Sequence, residues 1–212
     1  MANGFKQNVP PNLLQLYEVH DFGHASAILA KDFQAEYGEL CSALAAFRIK
    51  KSMILAAGGN ESGIPKAFSS LLRPLDWLES KLEAELRVGD MAVSKQTHKI
   101  DYVKGRVAAD FEWNSKDQTF DRDLYAFNTF FQYNKISAAV LVTRGSDLAS
   151  LFRTMGSVTD RHGVTRKVSA KFGASTTHMG KLLPRLEANR QGGCPVLVFG
   201  ITSKMIMEDV VG

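Results

Sequence analysis

Apolar residues recur at helical spacing through the first third of the chain, and then the period shortens. Over 24–50, Ala27, Ile28, Phe33, Tyr37, Leu40, Leu44 and Phe47 fall near a 3.6-residue repeat, which predicts one long helix. Ala56-Ala57-Gly58-Gly59-Asn60 breaks it. Ser62-Gly63-Ile64-Pro65 then carries the signals of a new helix start, continued by Phe68, Leu71 and Leu72 as far as Pro74. Trp77, Leu78, Leu82 and Leu86 predict a further helix at 76–87. Beyond it, Val107, Ala109 and Phe111 alternate with Ala108, Asp110 and Glu112, the period of a strand. Lys104-Gly105 supplies a turn, so 99–113 reads as a β-hairpin.

A helix is expected at 121–134, with Asp121 as N-cap and Leu124, Phe127, Phe130 and Phe131 on its apolar side. Ile136 to Thr143 is a continuous apolar run, the mark of a strand buried on both faces, and Pro195 to Ile201 is another. Strand, helix and buried strand in succession make a βαβ-like unit. Residues 152–180 form a long insertion rich in Ser, Thr, Arg, Lys and Gly, and loops of that length are usually functional or disordered. The fold class is therefore α/β, a central mixed β-sheet flanked by helices. The chain reads as a single domain with a helical part at 1–95, a core at 96–145, an insertion at 152–180 and a last core strand at 195–201. There is no internal repeat or low-complexity tract.

The hairpin changes this picture from architecture to chemistry. Asp110 and Glu112 are two apart and share one strand face, and the turn folds Asp101 back towards them. Three carboxylates at one edge repel each other unless a cation neutralises them. An all-oxygen set of this kind suits Mg²⁺, which keeps several waters and usually meets a phosphate. The small Ala108 leaves room beside the acids, while Val107, Ala109 and Phe111 pack the opposite face. The bland alternative, a solvated acidic strand face, is the commoner meaning of an Asp-x-Glu pair.

Composition adds less. A chain of 212 residues with 45% apolar and 23% charged residues is an ordinary globular protein. The net charge of +4 hints at an anionic partner. The basic residues Arg144, Arg153, Arg161, Arg166, Lys167 and Lys171 gather downstream of the acids, against only Asp147 and Asp160. Two cysteines, Cys41 and Cys194, exclude a disulfide framework and a zinc cluster and suggest a reducing compartment. No run of about 18 apolar residues exists, and the first residues lack an apolar signal core, so a cytoplasmic protein without a membrane span is expected.

The spacing Asp101-x8-Asp110-x-Glu112, followed by a helix and a buried strand, resembles the PD-(D/E)xK nuclease core. More narrowly, the chain resembles the BglII-like type II restriction endonucleases, among them BglII and BstYI, with BamHI further off. In that family an Asp is followed nine residues later by a Glu, and two later by Glu or Gln where most nucleases have Lys. Asp110 departs from the usual Glu, although the wider superfamily admits Asp. The similarity extends over 60–201. It takes in Trp77-Leu78-Glu79-Ser80, which resembles the helical segment before the metal site, and the Gly-rich turn and last strand from Arg190 to Ile201.

The resemblance implies a Mg²⁺-dependent, site-specific endonuclease that hydrolyses phosphodiester bonds in double-stranded DNA and leaves 5′-phosphate ends. Asp101, Asp110, the backbone carbonyl of Phe111 and Glu112 would hold the cation. Glu112, standing where Lys is usual, would activate the attacking water or join a second cation. Glu79 and Ser80 are accessory candidates. DNA contacts are expected from Asn114, Ser115, Lys116, Arg144, Arg161, Lys171, Thr177 and His178, with Thr159, Asp160, Lys167 and Thr176 beside them. His178 has no His or Cys partner at ligand spacing. Asn60 and Ser62 could present backbone N–H groups to phosphate. A homodimer is expected, with Phe127, Phe130 and Phe131 as candidate assembly surface, and a separately encoded cognate DNA methyltransferase as partner. A repair or structured-DNA nuclease of the same fold, or an inactive DNA-binding module, are the other readings. A plasmid digest separates them.

Overall fold

The continuous apolar runs lie side by side at the centre of one sheet. A computed structural model of the chain describes residues 3–57, 63–81, 83–88, 91–96, 98–160 and 162–209. Six strands form the main sheet: β1 (Tyr17–Phe22), β2 (Leu78–Ser80), β3 (Ile100–Lys104), β4 (Val107–Glu112), β5 (Ala138–Arg144) and β6 (Val196–Ile201), in the spatial order β1-β6-β5-β4-β3-β2. The middle strands β4, β5 and β6 are parallel, whereas β1, β3 and β2 join antiparallel. Every residue of β4, β5 and β6 is buried, as parallel strands covered on both faces must be.

Helices close both faces. On one side α1 (Ala25–Asp32), α2 (Gln34–Ala46), α3 (Gly63–Leu72) and α5 (Leu148–Thr154) pack Leu29, Leu40, Leu44, Phe68 and Phe152 against Val107, Ala109, Phe111, Val140 and Phe199. On the other, α4 (Thr119–Gln132) and α6 (Met179–Glu187) pack Phe120, Leu124, Phe127, Leu182 and Leu186 against Ala108, Ala139, Leu141 and Val198. Helix α4 is the crossover between the parallel strands β4 and β5, the βαβ unit expected. The mixed sheet flanked by helices is consistent with a restriction-endonuclease-like fold.

Four expectations need correction. The helix expected over 24–50 is two helices, broken at Phe33, whose ψ of 48° leaves the helical range. The 1–95 region is not wholly helical, because β1 adds an antiparallel edge strand to β6. The helix expected at 76–87 is replaced by β2 and by an antiparallel pair, Glu83–Val88 with Met91–Gln96. Asp76 at φ 62° stops the preceding 3-10 turn, and Leu78 and Ser80 then pair with Val103 and Ile100, which sets Trp77 inward and leaves Leu78 59% exposed at the sheet edge. Finally, Asp121 is not the N-cap of α4, which begins at Thr119. It lies in the first turn, receiving Arg185 at 3.0 Å and Arg190 at 2.6 Å.

The polar stretch 152–180 is ordered where it is described. Ser157–Thr159 pairs with Thr165–Lys167, a short helix Val168–Lys171 follows, and Phe152, Val158, Val168 and Phe172 are buried beneath. Phe127 and Phe130 lie inside the core and are not available as an assembly surface, while Phe131 is partly buried and packs against that core. Among the described residues no helix is long and apolar enough to cross a membrane.

Candidate active site

Gly105, at φ +53°, turns β3 into β4. The register pairs Tyr102 with Ala109 and Val103 with Ala108. Carried one step further, it sets Asp101 opposite Asp110, and the Asp101 amide donates to Asp110 Oδ1 at 2.7 Å. Alternation along β4 sends Ala108, Asp110 and Glu112 to the α4 side. Phe111 turns to the other side, stacked on Phe68 with ring centroids 4.6 Å apart. The Thr143 hydroxyl on β5 donates to the Glu112 carbonyl at 2.8 Å and steadies the end of the strand. One hairpin thus sets Asp101 against Asp110, with Glu112 one step along the same strand face.

Burial sets their electrostatics. Asp110 is 3% exposed and Glu112 9%, while Asp101 is partly covered. Burial, reinforced by the negative charges of Asp123, Asp101 and Glu112, pushes the Asp110 carboxyl well above the usual range, with the Asp101 amide opposing. Burial likewise raises Glu112 to about 7, against a hydrogen bond from Ser115 and the charge of Arg122. Asp101 is raised too, chiefly by burial, with Arg73 opposing and Glu79 adding to the rise.

A cation would relieve this crowding. Asp110 Oδ2 and Glu112 Oε2 are buried and accept no hydrogen bond, and such orphaned oxygens need an explanation. Among the described residues no three acidic, His or Cys side chains are gathered as ready-made ligands. This does not count against Mg²⁺, which binds through one or two carboxylates plus backbone carbonyl, water and phosphate. The donor set fits a hard divalent cation.

The accessory pair sits beside the site on a different element from the one expected. Trp77-Leu78-Glu79-Ser80 leads into edge strand β2 rather than a helix, with Ser80 in register with Ile100. Glu79 is exposed and bound to Lys99 at 2.6 Å.

Residues 114–116 and 176–178 are also brought together. Lys116 bridges to Thr176, and the Thr177 amide donates to the Ser115 carbonyl at 2.9 Å. Lys116 is exposed, Asn114 and Ser115 are half-buried, and His178 precedes the first turn of α6. Thr177 itself is fully buried.

Arg144 is 3% exposed and donates to the carbonyls of Thr177 at 2.8 Å and Phe172 at 3.1 Å and to the Thr176 hydroxyl. It therefore faces inward, tying the 172–177 segment to the end of β5. Lys171 is similarly engaged, donating to the carbonyls of Ile54 and Ala56 at 2.9 and 2.7 Å. Thr159 bonds Thr165, Asp160 pairs with Arg166 at 2.7 Å, and Lys167 is exposed. Arg161, Asn60 and Ser62 lie outside the described residues.

One buried acid escaped the sequence reading. Asp123 on α4 is 4% exposed and is pushed well above the usual carboxylate range by burial and then by Glu112 and Asp101, with Arg122 opposing. Its signal was present: positions 120, 123, 124 and 127 follow the helical repeat, so Asp123 stands in the apolar stripe of Phe120, Leu124 and Phe127.

No curated protein matches the chain. The model of the family described as restriction endonuclease BglII/BglIII matches residues 17–201, from β1 to the end of β6 and including the whole acidic hairpin. The chain belongs to the BglII/BglIII restriction endonuclease family.

Proposed function

We propose that this type II site-specific deoxyribonuclease cuts double-stranded DNA at the acidic end of the β3–β4 hairpin, with Mg²⁺ as its cation. The observation that carries the reading is the pair of buried, unpartnered oxygens, Asp110 Oδ2 and Glu112 Oε2, beside Asp101. Asp101, Asp110 and the backbone carbonyl of Phe111 would hold the cation. A Mg²⁺ held by these groups would supply positive charge beside the non-bridging phosphate oxygens and would lower the pKa of nearby water. Glu112 takes the proton of the attacking water, a task suited to a carboxyl raised to about 7. Water oxygen joins phosphorus, the P–O3′ bond breaks, and the departing O3′ takes a proton from solvent. The products carry 5′-phosphate and 3′-hydroxyl ends.

Asn114, Ser115, Lys116 and His178 are the proposed DNA-facing groups, since their two segments are paired directly beyond β4. Arg144, with its guanidinium spent on 172–177, and Lys171, bound to 54–56, are proposed to hold that surface in shape. Thr177 supports it through its backbone. Cutting both strands of a palindrome is most simply met by a two-fold homodimer. Self-protection calls for a separately encoded methyltransferase, and the free Cys41 and Cys194 accord with work in the cytoplasm.

Plasmid DNA treated with the protein and Mg²⁺ should give discrete fragments with 5′-phosphate ends, and no cutting under chelation or with Asp110→Asn. Cutting that survives chelation would overturn the proposal. A smear would remove the sequence specificity.

A further inference from the structure

Helix α4 carries a carboxylate where its apolar stripe should continue. Phe120, Leu124 and Phe127 are fully buried against the sheet, and Asp123 shares their face at 4% exposure. Its Oδ2 accepts no hydrogen bond. An unpaired buried carboxylate is destabilising, and leucine or alanine at 123 would pack the same stripe without that cost. Something other than stability must therefore account for it.

The surroundings indicate what. The charged groups acting on Asp123 are Glu112 and Asp101, of its own sign, and the exposed Arg122. Asp123 in turn is the largest charge acting on Asp110. Neither Asp123 Oδ2 nor Glu112 Oε2 has a hydrogen-bond partner, so no proton bridges them. Two elements, β4 and α4, thus bring three buried carboxylates under one another's charge, and Asp110, Glu112 and Asp123 each keep a buried oxygen without a hydrogen-bond partner. Hard anionic oxygens of this kind select a Mg²⁺-like ion, and the exposed imidazole of His98 acts on Asp101 rather than on Asp123.

We infer that Asp123 is a cation ligand: its Oδ2 joins Asp110 Oδ2 in binding a divalent metal from the helix side of the site, which leaves Glu112 to take the water proton. The inference rests on the metal-dependent reading above and adds to it a ligand from α4, outside the hairpin. Because Asp123 is anchored between Phe120 and Leu124, it also ties the position of the metal to the packing of α4 on the sheet.

Calorimetric titration of the whole protein with Mn²⁺, free of DNA, tests it. Asp123→Asn should bind at least tenfold more weakly, or lose one equivalent, while its metal-free melting temperature stays level or rises because a repelling charge is gone. Unchanged stoichiometry and affinity would overturn the inference and leave the hairpin site standing. No Mn²⁺ binding by the wild type would overturn the metal-dependent reading and this inference with it. If Asp123→Asn fails to fold, anomalous scattering from Mn²⁺-soaked wild-type crystals decides. A peak within ligand distance of Asp123, about 2.1 Å for a Mg²⁺-like ion, supports the assignment, and peaks confined to Asp101 and Asp110 exclude it.

Discussion

The two faces of strand β4 are separated by the thickness of one backbone and behave as different materials. On one, Val107, Ala109 and Phe111 meet Phe47 and Phe68 in a dry aromatic cluster, with Phe111 on Phe68 at 4.6 Å. On the other, Ala108, Asp110 and Glu112 face Asp123, and three of their oxygens have no partner. Both faces are buried, so burial alone does not tell them apart. What differs is chemistry: the aromatic face packs ring on ring, while the acidic face keeps buried oxygens without hydrogen-bond partners. The first face carries the energy that keeps the second in place, because carboxylates crowded at low solvent exposure would otherwise swing out to water.

The contrast is broken most severely on the acidic side. Asp110→Asn should lower single-turnover cleavage by about 10³-fold or more, equivalent to about 4 kcal/mol of transition-state stabilisation. Its metal-free melting temperature should rise, since the most crowded carboxylate is gone. Activity within tenfold of wild type would show that the site lies elsewhere. On the aromatic face, Phe68→Ala should cost about 3–5 kcal/mol in urea denaturation, yet leave cleavage per folded molecule nearly unchanged. A large activity loss at full folding would mean that the two faces are not separable.

Glu112→Gln keeps the shape and removes the base. Cleavage should fall by about 10²-fold or more while DNA binding in Ca²⁺ hardly moves. An equal loss in both would make Glu112 a binding residue. Arg144→Met removes three hydrogen bonds from a buried cation and should cost about 1.5–3 kcal/mol. It should weaken DNA affinity more than the rate of the chemical step, because the 172–177 segment loses its anchor. A rate loss with unaltered affinity would place Arg144 in the chemistry instead.

The smallest effect is in pH. Glu112 has its folded-state value raised from 4.5 to about 7, so between these values the folded chain holds more protons than the unfolded one. Its contribution to the stability of the metal-free protein is fully present below about pH 4.5 and is lost as pH rises through about 7. Cation affinity should run the other way, increasing up to about pH 7. Thermal melts at several pH values, with and without Mg²⁺, check both signs, and a metal-free protein that gains stability over this interval would contradict the burial argument.

The parts of the molecule that were legible in the sequence are those whose pattern is local. Strand β4 shows its two faces because alternation survives in any context, and β5 and β6 show continuous apolar runs because both their faces are covered. The 76–87 segment misled because Trp77, Leu78, Leu82 and Leu86 also fit a helical repeat, and only packing reveals Trp77 inward and Leu78 outward. Strand β1 was missed because an edge strand with one partner needs little apolar pattern. Arg144 reads as a solvent-facing strand end until the segment that accepts its hydrogen bonds is placed over it.

The hairpin, its acid spacing and the separate strand, helix and strand that follow can be read from the residues directly, since each of these elements is patterned within about fifteen positions. It takes the assembled fold to bring Asp123 within the influence of Glu112, to close β1 against β6, and to set 114–116 against 176–178. The physical reason is range. Backbone periodicity and turn chemistry act between near neighbours, whereas burial and Coulomb repulsion act between whatever the fold brings close, and here they join strands and a helix that the sequence keeps apart.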